Sequence, residues 1–202
     1  GIVTFRSGQA VRDAAARVPL ERMMLETDCP YISPEPVRNQ RPCEPALLLH
    51  TAARIAELKG VSPNQIFLGN GSDEAIDLVV RIFCEPRQDH ILILPPTYGM
   101  YQVAADIADV EVRQVSLTPG FQPDVEAILE AATPESKIVF VCSPNNPTGN
   151  LADPEAIRRL ASTFQGIVVV DEAYIDFSTH TGALELLPEF PNLIVMQTFS
   201  KA

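Results

Sequence analysis

Short apolar runs of strand length alternate along this chain with stripes at helical spacing, and this pattern constrains the fold more than any other feature. Several of the runs are uninterrupted Val, Ile and Leu, as expected of strands buried on both faces of a sheet. The pattern predicts an α/β fold with a mostly parallel sheet flanked by helices. The candidate strands are residues 65–69, 91–94, 110–117, 137–142, 166–170 and 192–197.

Helices are predicted between the strands from apolar spacing and from start signals. Asp153 followed by Pro154 is typical of a capping residue with proline at the first helical position, and Pro123 opens a similar segment. Residues 73–84 form a further candidate helix. Its apolar face carries Ala75, Leu78, Val79 and Ile82.

The first sixty residues have a different character. Two helices are predicted, at 9–17 and 44–59, separated by the proline-rich stretch 30–42, and Gly60 is placed to cap the second helix. The composition changes within residues 58–63. We therefore predict two parts, residues 1–61 and 62–202.

Charge and cysteine content narrow the function classes. Asp and Glu total 26 against 15 Lys and Arg, and a net charge of -11 gives no electrostatic basis for nucleic-acid binding. No apolar run approaches the ~20 residues of a membrane span. Four cysteines without a close pair fit a reducing cytoplasm. Because the chain begins with Gly1 and stops at Ala202 directly after an apolar strand, we expect a fragment.

Two glycine-containing segments follow predicted strands. Residues 69–74 (GNGSDE) form a turn before a helix, where backbone N–H groups can bind a phosphate; the alternative is an ordinary turn capped by Ser72 or Asp73. Residues 95–101 (PPTYGMY) place Tyr98 at the carboxyl edge of the sheet, where it could stack on a flat ring or simply pack a loop.

Three further segments bring polar groups to the same edge. Residues 143–149 (SPNNPTG) hold an asparagine between two prolines and favour a rigid binding loop over a plain surface turn. Asp171 closes an apolar strand, where it could pair with a protonated ring nitrogen or serve as a helix cap. Lys201 follows the last strand and could form a Schiff base or lie on the surface.

Together these segments resemble the aspartate-aminotransferase fold family, and residues 66–201 are particularly similar to histidinol-phosphate aminotransferases. The resemblance implies the partial large domain of a fold-type I enzyme, with pyridoxal 5'-phosphate as cofactor. It implies a small-molecule amino donor and a 2-oxo acid as partners, and a homodimer for the complete family member. The implied roles are covalent attachment and proton transfer for Lys201, pairing with the pyridine nitrogen for Asp171, binding of the ring oxygen for Asn146 and Tyr174, stacking for Tyr98, and phosphate binding for Ser72, Asp73 and Ser200.

The first part resembles another family. Residues 25–31 (LETDCPY) and 41–45 are similar to the final portion of TatD-type metal-dependent hydrolases, a TIM-barrel-like family in which the Asp28 position is a metal ligand. His50 does not match a ligand position, and one carboxylate cannot build a metal site. The sequence thus predicts a chimeric chain. Three hypotheses stay open: an aminotransferase fragment, a metal-dependent DNase or hydrolase fragment, and an inactive chimera.

A last expectation concerns the edges of the sheet. The family's sheet needs a later strand beside residues 65–69, so this segment is expected to lack a neighbour. The expected consequence is poor solubility or partial order.

Overall fold

The computed structural model describes residues 4–10, 12–13, 33–67, 69, 71–180 and 182–198. These residues fall into two compact units that divide between Gly69 and Asn70.

A five-stranded sheet forms the centre of the second unit. The strands are β1 (His90–Ile93), β2 (Glu111–Gln114), β3 (Ser136–Cys142), β4 (Ile167–Asp171) and β5 (Leu193–Met196). Every neighbouring pair is parallel, in the order β2-β1-β3-β4-β5. The predicted parallel α/β sheet is confirmed, with five of the six candidate strands in place. Because the strands are parallel, their carboxyl ends meet at one edge.

Helices cover both faces of this sheet. They are α2 (Ser72–Phe83), α3 (Met100–Ile107), α4 (Val125–Ala131) and α5 (Pro154–Thr163), and the first unit contains α1 (Leu48–Lys59). The predicted cap of α5 is confirmed, since the Asp153 side chain accepts a hydrogen bond from the Glu155 N–H. At α4 the capping residue is Asp124 rather than Pro123, because the Asp124 carboxylate accepts the Ala127 N–H. Helix α3 was not predicted, since it begins inside the 95–101 segment.

Two apolar cores lie on the two faces. One contains alternate residues of the strands with α4 and α5, including Val139, Val168 and Leu160. The other joins the opposite strand residues to α2 and α3, including Ile76 and Phe140. Because β3 and β4 bury side chains on both faces, each burial contributing roughly 1.5–3 kcal/mol, they form the most strongly stabilised part of the sheet.

The first unit has a smaller core. Its described buried apolar residues are Phe5, Cys43, Ala52 and Ala56. Residues 9, 10, 12 and 13 of the predicted first helix are helical, and the rest of that prediction lies outside the described residues. Helix α1 follows a 3-10 turn at Pro45–Leu47. As predicted, Gly60 ends α1 in the left-handed conformation, at φ 71°.

The predicted strand at 65–69 was wrong for the residues that the structure describes. Pro63–Gln65 form a 3-10 turn, in which the Ser62 N–H donates to the Gln65 side chain at 3.1 Å. Ile66, Phe67 and Gly69 have no regular structure, and Phe67 is exposed. Ser62 and Gln65 form a local capping box at this point in the chain. A strand here would need a hydrogen-bonded neighbour to be stable.

Candidate active site

The candidate site lies at the carboxyl edge of the sheet in the second unit. β4 ends at Asp171, which pairs in register with Cys142 of β3 and Met196 of β5. The segments that follow β1 and β3 reach the same edge, because all the strands run in the same direction. Of the five segments that the sequence predicted at this edge, three follow strands as predicted, namely 95–101, 143–149 and the segment from Asp171. The segment 69–74 follows no strand among the described residues, and Lys201 lies outside them.

Asp171 is the buried acid of this edge, with 1% of its surface exposed. The Tyr101 hydroxyl donates to Asp171 Oδ2 at 2.6 Å, and the Ala173 N–H donates to Oδ1 at 3.1 Å. The Tyr101 ring in turn stacks on Phe140, with ring centroids 4.5 Å apart. These contacts fix the carboxylate in a dry setting, where a positive partner would be bound strongly.

Tyr98 joins Asp171 to the start of α2. Its ring meets Tyr101 edge-on with centroids 5.7 Å apart, and its hydroxyl donates to Asp73 Oδ1 at 3.0 Å. Burial and then the Asp73 carboxylate raise the pKa of Tyr98 to about 12, so its hydroxyl stays protonated. Asp171 and Tyr174 raise the same pKa further.

The start of α2 can offer backbone donors to an anion. Gly71, the N-cap residue, lies at φ 86° and has no side chain to cap the first turn, which begins with Ser72 and Asp73. The first N–H groups of a helix lack partners within the helix and bind anions. The Asp73 carboxylate faces Tyr98, so the group that Asp73 can offer to an anion is its backbone N–H.

Asn145 holds two loops of the edge together. Its side-chain amide donates to Pro96 O at 2.9 Å and to Thr148 Oγ1 at 2.7 Å. These bonds tie the loop after β1, which carries Tyr98, to the loop after β3. The next residue, Asn146, is only partly buried. The rigidity that the sequence predicted for this segment comes from the hydrogen bonds of Asn145.

Six of the nine predicted site residues lie in the described part of the chain: Ser72, Asp73, Tyr98, Asn146, Asp171 and Tyr174. Ser200, Lys201 and Asp28 lie outside the described residues, so their predicted roles stay predictions. Sequence reasoning missed Tyr101 and Asn145, although both stand inside segments that it singled out. The signal for Tyr101 was a second tyrosine in the same segment, three residues after Tyr98.

The described residues contain neither a candidate metal site nor a candidate membrane-spanning helix. They include no group of three or more His, Cys, Asp or Glu side chains placed to hold a metal ion. Within the same part of the chain, no helix combines the length and apolar character needed to cross a membrane.

Two family profiles match the chain. Residues 43–202 match the family described as aminotransferase class I and II, and residues 1–67 match TatD related DNase. The two matched ranges overlap across the boundary predicted from composition. Both resemblances inferred from the sequence are therefore confirmed.

Individual relatives agree with the larger match. The chain is 57% identical over 148 residues to the histidinol-phosphate aminotransferase of Cytophaga hutchinsonii, and 54% identical over 149 residues to that of Christiangramia forsetii. These alignments cover 73% and 74% of this chain but 42% and 43% of the relatives, so the chain spans less than half their length.

A solved structure shows the same fold. The aspartate aminotransferase of Thermus thermophilus, determined with maleate, is 25% identical and aligns with a TM-score of 0.61. The alignment covers 74% of this chain and 48% of that one.

Proposed function

The chain belongs to the aminotransferase class I and II family, and from this premise we propose that residues 62–202 act in a pyridoxal-phosphate-dependent aminotransferase of the histidinol-phosphate type. Residues 1–61 are proposed to derive from a TatD-type hydrolase. The observation that carries the proposal is the buried Asp171 carboxylate, linked through Tyr101 and Tyr98 to Asp73 in the first turn of α2.

The residues present fit a flat, phosphorylated cofactor. Asp171 supplies a fixed buried acid, and Tyr98 supplies an aromatic ring. The start of α2 supplies backbone donors for a phosphate. These are the three features that binding a protonated pyridine ring with a phosphate arm requires.

Each residue then has a proposed task. Pyridoxal phosphate, when bound, supplies an electron sink that stabilises a carbanion at the amino-bearing carbon of the substrate. The Asp171 carboxylate would keep the ring nitrogen protonated, because an adjacent negative charge favours the charged form of a base. The Lys201 amine would attach the cofactor covalently and move the proton at the substrate carbon.

The remaining tasks are binding and orientation. Tyr98 would stack on the ring, and Asn146 and Tyr174 would donate to its oxygen. Ser72, Ser200 and the backbone N–H of Asp73 would bind the phosphate. Tyr101 would orient Asp171 through the 2.6 Å hydrogen bond.

The partners of the reaction are proposed from the relatives. We propose an amino donor of the histidinol-phosphate class and a 2-oxo acid as substrates, a homodimer as the assembly, and the cytoplasm as the location. The high sequence identity to histidinol-phosphate aminotransferases supports this choice over other amino donors.

Cofactor binding gives the direct test. Titration with pyridoxal phosphate is expected to produce the visible absorbance band of a lysine-bound cofactor, and Lys201→Ala is expected to abolish it. Asp171→Asn is expected to weaken binding roughly 10- to 100-fold, because a charge-assisted hydrogen bond contributes about 1.5–3 kcal/mol.

The control for Asp171→Asn is Asp106→Asn, which removes an exposed carboxylate on α3. Binding by Asp106→Asn is expected to equal that of the unmodified chain. The proposal fails if the absorbance band is equally strong in Lys201→Ala.

A second candidate function comes from the match of residues 1–67 to TatD related DNase. A single carboxylate at Asp28 cannot hold a catalytic metal ion, so no metal-dependent nuclease activity is expected. Nuclease activity that needs a divalent cation and disappears in Asp28→Ala would favour this candidate instead.

A further inference from the structure

We infer that Glu172 is a positioning residue, which holds the end of β5 and the turn at 182–183 against the strand end that carries Asp171. The inference rests on the proposed function, since Gln197, the residue held at the end of β5, precedes Lys201 by four residues along the chain. Glu172 has no role in the reaction as described above.

Glu172 joins three segments of the second unit. Its carboxylate accepts hydrogen bonds from the Ala183 N–H and, at 2.8 Å, from Gln197 Nε2. Its own N–H donates to Met196 O at 2.8 Å. Only 1% of the residue is exposed, so these bonds are formed away from water and hold their geometry.

Gly182 makes room for this carboxylate. A Cβ at position 182 would lie 2.5 Å from Glu172 Oε1, and Gly182 has a φ of 77°. A side chain at this position would therefore both strain the backbone and displace the carboxylate. The turn accordingly depends on glycine at the point where it approaches Glu172.

Glu172 and Asp171 are neighbours in sequence but contact different groups. Asp171 receives the Tyr101 hydroxyl, whereas Glu172 receives main-chain and amide donors from 183 and 197. Glu172 is thus separated from the groups proposed to hold the ring, and its influence must pass through the segments that it holds.

Protonation alters what Glu172 can do. Burial raises its pKa to about 7, although the bonds from Gln197 and Ala183 act in the opposite direction; the charged neighbour Asp171 raises it further. The ionised carboxylate only accepts hydrogen bonds. The protonated form also carries an O–H donor. On the same partner, Gln197 Oε1 is buried without a hydrogen-bond partner among the described residues.

The clamp formed by Glu172, Ala183 and Gln197 can be tested first without cofactor. Hydrogen exchange of the Ala183 backbone amide is expected to be roughly 10-fold faster in Glu172→Ala, because the bond that protects it is lost. Glu172→Gln keeps both an acceptor and a donor, so it is expected to restore exchange to near the original rate. The control is Glu185→Gln, an exposed glutamate near the same turn.

The pH dependence separates a titrating clamp from a passive contact. After correction for the intrinsic exchange rate, protection at Ala183 in the unmodified chain is expected to change between about pH 6 and 8, following the Glu172 pKa. In Glu172→Gln this change should be absent. A Glu172→Gln profile with the same pH dependence as the unmodified chain would overturn the assignment of this titration to Glu172, even if Glu172→Ala does not fold.

Cofactor attachment tests the positioning role. Covalent attachment of pyridoxal phosphate is expected to be roughly 10-fold slower in Glu172→Ala and near the original rate in Glu172→Gln, because a displaced amine loses its productive geometry. Equal rates in Glu172→Ala and the unmodified chain would overturn the positioning role. Absence of attachment in the unmodified chain would instead refute the proposed function, and the exchange results would still decide whether the clamp exists.

Discussion

The two units of this chain differ in how their apolar residues find partners. In residues 71–198 the central strands β1, β3 and β4 are buried on both faces of the sheet, and two cores form around their Val, Ile and Leu runs. In the described part of residues 4–69 the buried apolar side chains are few and mostly small, and Leu49 and Phe67 are largely exposed. The difference shows that an apolar residue stabilises a fold only where another element covers it.

The largest expected effect compares the two units directly. Phe140→Ala empties a fully buried position that also supports the Tyr101 ring, and should lower the free energy of unfolding by about 3–5 kcal/mol. The matched change in the first unit is Leu49→Ala, at a leucine that is 71% exposed. It should change the free energy by less than ~0.5 kcal/mol, measured by urea unfolding. Equal losses would contradict the comparison.

A smaller effect is expected at the left-handed glycines of the two units. Gly182→Ala adds a Cβ that collides with Glu172, so it should cost roughly 2–3 kcal/mol in thermal or urea unfolding. Gly60 and Gly149 have φ values of 71° and 75°, and a Cβ added at either position would lie in open space. Gly60→Ala and Gly149→Ala are the matched changes. They should cost only the backbone strain, about 1 kcal/mol. A Gly182→Ala loss no greater than these would show that the carboxylate can move aside freely.

The smallest expected effect is a pH slope from His90, which is 1% exposed and bonded to Ser136 at the amino end of the sheet. Burial, followed by the Arg113 charge, lowers its pKa below 6.5, while the acids Asp89, Glu111 and Glu135 oppose this. As the pH falls, His90 therefore takes up a proton in the unfolded chain at a higher pH than in the folded chain. Stability from this group falls as the pH drops from about 6.5 towards the folded pKa, by about 1.4 kcal/mol for each unit of lowering.

The measurement for His90 is a difference between chains. The free energy of unfolding of His90→Gln is subtracted from that of the unmodified chain at each pH. This subtraction should cancel the contribution of Glu172, which is present in both chains. The raised pKa of Glu172 acts in the opposite direction, since it lowers stability as the pH rises from 4.5 towards about 7. His50→Gln, at a partly exposed site on α1, controls for the loss of one histidine. A flat difference curve would contradict the predicted cost of burying His90.

Much of the second unit was predictable because its signals are local. Apolar runs located β1 to β5, and Asp153 with Pro154 located the start of α5. The short helix α3 was missed because its residues also form the segment after β1, and a single stretch of eight residues carries little periodicity. The prediction of a strand at 65–69 was wrong for a different reason. The composition of this segment suits a strand, but strand pairing depends on a partner that is distant in sequence.

By itself, the sequence determined the α/β class, the five strands of the sheet in chain order, and which segments follow those strands at the carboxyl edge. These properties follow from periodicity and chain direction, which act over a few residues. Three contacts were decided by the tertiary structure alone. Tyr101 donates a hydrogen bond to Asp171, and Asn145 joins the loops after β1 and β3. Glu172 accepts hydrogen bonds from Ala183 and Gln197. Those contacts join residues far apart in sequence, and their hydrogen bonds exist only after the sheet has brought the strand ends together.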